Sequence, residues 1–70
     1  MTDRYVEDIT RGDKRYRIIW EDMPLKQPPE ASIAIFLMPE GTMIWDTSSA
    51  DEGQERMVRH AKIVIESLSG

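Results

Sequence analysis

Seventy residues with no cysteine and one histidine make room for one domain, and exclude a disulfide framework or a Cys/His zinc cluster as its staple. A chain this short buries only about 60% of the surface its unfolded form exposes, so association with a partner is the stabilising device that remains. The net charge of −4 lacks the basic footprint of nucleic-acid binding, and residues 33–39, the longest apolar run, fall far short of a membrane span.

The N-terminal MTDRYVED has no apolar run of the secretory kind, so a cytoplasmic protein is expected, with no membrane contact. Residues 4–22 then read as a β-hairpin. Arg11-Gly12-Asp13-Lys14 supplies the turn, with Gly first of the two central residues as a type II′ turn prefers. That turn sets Asp8 opposite Arg17 and Arg4 opposite Glu21, with Val6 facing Ile19 between them. On the other face it sets Tyr5 opposite Trp20 and Ile9 opposite Tyr16, pairs of the kind that stabilise sheets. Glu7 opposite Ile18 is the one awkward pair.

Residues 23–30, with three prolines, read as a connector, because proline removes backbone donors and favours extended chain. Residues 31–47 read as a second hairpin. Ala31 to Met38 is apolar at nearly every position, as in a strand covered on both faces. With Glu40-Gly41 as the central turn residues, Phe36 faces Trp45 and Met38 faces Met43 on one side, while Leu37 faces Ile44 on the other. Residues 50–68 read as a helix. Ser49 and Glu52 match a capping box, Asp51, Glu52 and Glu55 suit the positive end of the dipole, and Gly53 falls inside the first turn. Met57, Val58, Ala61, Val64, Ile65 and Leu68 share one arc of that helix. Ile63 points away from it, among Arg56, Arg59 and Ser67.

The order β-β-β-β-α predicts an α+β fold: two antiparallel β-hairpins form a four-stranded sheet, with the C-terminal helix packed on one face. Chemistry-bearing residues are sparse. His60 lies at the edge of the apolar arc, where packing is the simpler role, and a set drawn from Ser48, Ser49, Asp46 and His60 lacks a nucleophile elbow. Glu7-Asp8 and Glu21-Asp22 are adjacent on strands and so point to opposite faces. No calcium-loop pattern or glycine-rich phosphate cradle occurs. Arg11-Gly12-Asp13 spells an adhesion tripeptide without the secretory context to use it. Arg11, Lys14, Arg15 and Arg17 cluster at the same tip, within an acidic chain. No catalytic residue, cofactor or metal is expected.

The informative feature is surplus apolar surface, since one helix covers one sheet face. Phe36, Met38, Met43, Trp45 and Ile63 are the candidate partner-interface residues. The alternative cover for that face is the connector, with Met23 and Leu25. The expected function is that of a small non-enzymatic protein-binding or regulatory module acting through the helix-free face. Its partner is a protein, a second copy of the chain included. Two other classes fit less of the sequence. One is a small-molecule-binding or catalytic accessory subunit with an apolar pocket near Trp45. The other is an acidic nucleic-acid mimic of the sort mobile elements encode, built on Glu30, Glu40, Asp46, Asp51, Glu52 and Glu55, though the bases at 56, 59 and 62 interrupt it.

Overall fold

The computed structural model describes residues 4–23, 30–50 and 53–69. Four antiparallel strands form one open sheet: β1 (Arg4–Arg11), β2 (Lys14–Met23), β3 (Glu30–Met38) and β4 (Thr42–Ala50). They lie side by side in chain order, and the helix α1 (Gln54–Ser69) closes one face. Among the described residues no helix is long and apolar enough to cross a membrane. The connector at 24–29 and the capping acids Asp51 and Glu52 lie outside the described residues.

The first hairpin has the register expected from its turn. Arg4 pairs with Glu21, Tyr5 with Trp20, Asp8 with Arg17 and Ile9 with Tyr16. Gly12 has φ +63° while Asp13 stays at negative φ, the backbone signs of a type II′ turn. The awkward Glu7 is accommodated because its carboxylate reaches Lys62 on α1 at 2.9 Å and accepts the Tyr5 hydroxyl at 2.5 Å.

The second hairpin departs from expectation. Phe36 pairs with Met43 and Leu37 with Thr42, not with Trp45 and Ile44, and Met38 lies across from Arg15 of β2, not Met43. The loop is wider than two residues: the Gly41 amide donates to the Leu37 carbonyl at 2.9 Å. The physical reason lies at position 39. A two-residue turn at Glu40-Gly41 would need the amide of its flanking residue, and Pro39 has none. A bulge between Ile35 and Phe36 then takes up one extra residue, Ile44, and Trp45 pairs with Ile35. Met43 and Trp45, two residues apart, consequently lie on opposite faces of the sheet. The expected grouping of Trp45 with Phe36 and Met43 is thereby corrected.

The core lies between α1 and the two central strands. Tyr16, Ile18 and Trp20 of β2 and Ala31, Ile33 and Ile35 of β3 are buried against Met57, Val58, Ala61 and Ile65, with Ile9 at the side. Alternation on the strands and the i, i+4 spacing on the helix put these residues on facing surfaces. The Trp20 indole N–H finds a partner in the Met57 sulfur at 3.3 Å, so its burial leaves no orphan donor. Helix entry also differs from the capping-box reading. Ser49 remains in β4, paired with Ala31, and its hydroxyl contacts the Ala50 carbonyl. Gly53, at φ +97°, precedes the helix and does not sit within it, and its carbonyl accepts the first helical bond, from the Met57 amide at 3.1 Å.

Candidate binding face

The helix-free face is built from alternate residues of all four strands. Val6, Ile19, Ala34 and Asp46 make one row across it, and Asp8, Arg17, Phe36 and Met43 make the next. Arg4, Glu21, Ser32 and Ser48 make a third. The small side chains Ser32, Ala34 and Ser48 stand beside Ile19, Phe36 and Met43, and the step in size leaves a depression of about 320 Å³. Val6 is 48% exposed and Met43 is 52% exposed, so large apolar groups stand in water around it.

Charges on this face are mostly neutralised in place. Arg17 donates to both Asp8 oxygens, at 2.8 and 3.2 Å, and Arg4 lies 3.8 Å from Glu21. The hydrogen bond from Arg17, aided by its charge, holds the Asp8 carboxyl below its ordinary range, and Asp8 raises Arg17 in return. Asp46 differs. It is exposed at the rim of the depression, and among the described residues it has no ion-pair partner.

Of the five candidate interface residues, Phe36, Met38 and Met43 belong to this face by register. Trp45 belongs to the other, half-buried against the core, its ring 5.7 Å from that of His60 in an edge-on contact. Ile63 is 62% exposed on the outer side of α1. The sheet therefore separates Asp46 and Ser48 from His60, and the nominated Ser-His-Asp set does not assemble. Among the described residues no group of three or more His, Cys, Asp or Glu could hold a metal ion.

A second hollow, of about 420 Å³, lies between β1 and α1, lined by Tyr5, Glu7, Val58, Arg59 and Lys62 among others. Tyr5, Glu7 and Lys62 engage one another across it. The Tyr5 hydroxyl, and after it Lys62, holds the Glu7 carboxyl below its ordinary range, while Glu7 pushes the Tyr5 phenol up. Trp45 lines neither hollow. At the hairpin tip the basic cluster is divided, since Arg11 pairs with Glu66 and Arg17 with Asp8. Of the acids of the middle segment that are described, Glu30 opens β3 and shares the helix-free face with Asp46 by register, Glu40 lies in the loop after β3, and Glu55 lies on α1. Two functional features escaped sequence reasoning, the depression and the bulge that assigns Met43 and Trp45 to different faces. Pro39 was the available signal for the second.

Comparison with protein-family models, with curated proteins and with solved structures finds no match.

Proposed function

We propose that this chain is a non-enzymatic protein-binding module of the cytoplasm that recognises an apolar side chain flanked by a lysine or arginine. The observation that carries the reading is the depression on the helix-free face, floored by Ile19, Ala34, Phe36 and Met43 with the exposed Asp46 carboxylate at its rim. Burying one large apolar side chain there would contribute roughly 1.5–3 kcal/mol, enough to anchor a weak complex but not to select a partner. Selection comes from charge. Arg4 with Glu21 and Arg17 with Asp8 are already paired on the face, whereas Asp46 has no ion-pair partner among the described residues and stands at the rim of the depression. A rim charge of this kind sets specificity and encounter rate more than affinity. A regulator or inhibitor that works by occupying a partner's surface needs no chemistry beyond this.

The test is an immobilised peptide library probed with the intact chain. Peptides carrying a large apolar residue next to Lys or Arg should be retained. Ala34→Met, which fills the depression, should abolish retention. Asp46→Lys should shift the selected sequences from basic to acidic flanks. Selection that ignores the Asp46 charge, or no selection at all, would overturn the reading.

A further inference from the structure

The two edges of the sheet are built differently, and the difference is not explained by the docking face. Strand β1 is guarded: Arg4, Glu7, Asp8 and Arg11 line it, and each is held in an ion pair, with Glu21, Lys62, Arg17 and Glu66 respectively. Charged edge side chains are a usual way of preventing strand addition. Strand β4 has none of this. Over nine residues it carries no Lys, Arg or Pro and a single charge, Asp46, and it is exposed at every position except Trp45. Among the described residues it pairs only with β3, so its outer row of amides and carbonyls faces water. The flank of α1 above it carries His60 and, one turn earlier, Arg56. His60 against Trp45 identifies that flank, and Ile63, one turn on, is the most exposed large apolar residue described. At the turn end of β4, Ile44 is 38% exposed, and Met43, on the helix-free face, is 52% exposed.

We propose that β4 pairs with β4 of a second copy about a two-fold axis, joining two sheets into one of eight strands. Goodness of pairing selects the register. Centring on Asp46 sets two carboxylates face to face, and like charges directly opposite are destabilising. Centring on Trp45 or beyond runs the ladder into the bulge at Ile44. Centring on Thr47 avoids both. It uses residues 45–49, sets Asp46 across from the Ser48 hydroxyl of the second copy, Trp45 across from Ser49, and Thr47 across from Thr47. Because the axis is perpendicular to the sheet, both helices stay on one side. Each lies above β2 and β3, so their axes stand about four strand spacings apart, roughly 19 Å. Two helices of about 10–12 Å diameter then fit without collision, leaving a groove floored by both Trp45 rings. The helix-free face stays open and carries two copies of the depression. The dimer thus goes beyond the docking function and does not depend on it.

Sedimentation equilibrium in the micromolar range tests the association, with twice the 8.1 kDa chain mass expected. Thr47→Lys sets two like charges across the axis at an exposed site and should yield a folded monomer by circular dichroism. The chain has no cysteine, so an introduced one reports a single contact. Thr47→Cys should oxidise to a cross-linked dimer, since residues opposite in a ladder have Cα separations of about 4.5–5.5 Å, within disulfide reach. Thr10→Cys on the guarded edge should not. A wild-type monomer would overturn the proposal, as would cross-linking by Thr10→Cys that equals that of Thr47→Cys. So would a dimer that Val6→Lys dissociates and Thr47→Lys leaves intact, because the copies would then meet through the helix-free face. Loss of peptide selection with the dimer preserved would count against the docking function alone.

Discussion

Replacing Gly12 by alanine of either hand separates backbone chirality from every other cause of stability at the first turn. Gly12 has φ +63°, and a Cβ built in the L position meets nothing within 4 Å, so L-Ala neither gains nor loses a contact there. L-Ala is disfavoured at this φ by about 1–2 kcal/mol. D-Ala prefers it, and removes unfolded-state freedom that glycine enjoys, which should stabilise by about 0.4–1 kcal/mol. At about 0.05–0.15 kcal/mol per residue, a domain of this length has roughly 4–10 kcal/mol in all, so either effect is a measurable share. One kcal/mol moves the melting temperature of such a domain by about 4–8 °C. Thermal unfolding of chains made by chemical synthesis should therefore show Tm lowered by about 4–16 °C for L-Ala and raised by about 2–8 °C for D-Ala. Shifts of the same sign for the two isomers would refute the argument, since they would mean that the turn responds to the added methyl and not to its handedness.

Ile35→Ala, at a position with no exposure and with Ile18 across the ladder, should cost about 2–5 kcal/mol in urea denaturation. Ile63→Ala at the outer surface should stay within about 0.5 kcal/mol. Because the folded state holds Glu7 below its ordinary value of 4.5, the unfolded chain binds the proton first as pH falls. The stabilisation is then complete above that value and is lost as pH falls through the lower folded value. Glu7→Gln should flatten that part of an acid-unfolding curve, and an unchanged curve would exclude the Tyr5–Glu7–Lys62 cluster as its source. His60→Ala should leave peptide retention within a few-fold, because His60 lies across the sheet from the depression. A loss of about 100-fold without unfolding would place His60 in the binding site and overturn the assignment of the helix-free face.

The first hairpin was legible because three independent signals agreed: a glycine able to adopt positive φ, two opposite-charge pairs, and aromatic residues falling on one face. Each alone admits other registers. The helix and most of its buried arc were legible from periodicity, with Ile63 standing outside it, but Leu68, expected in the arc, is exposed in the last turn. The second hairpin was not, because beside its turn, residues 33–38 and 43–45 are apolar on both sides and the pattern there contains no phase. A slip of one residue in such a segment leaves every position still apolar. Only the missing amide of Pro39 distinguished the registers, and it argues through a hydrogen bond rather than through hydropathy. The helix start was misread for a related reason. Ser49 can cap a helix or extend a strand, and pairing with Ala31 decides between them. The depression depends on which small residues meet across three strands, and no single strand's sequence contains that information.

Sheet order equal to chain order also governs how the molecule can be assembled in time. Every strand bonds to the one just before or just after it, so each pairing closes a short stretch of chain and the loss of freedom in searching for partners is small. Proteins whose contacts are this local reach the native state faster than β-proteins whose strands cross over one another. The helix, last in the chain, docks on strands that can already be paired before it arrives.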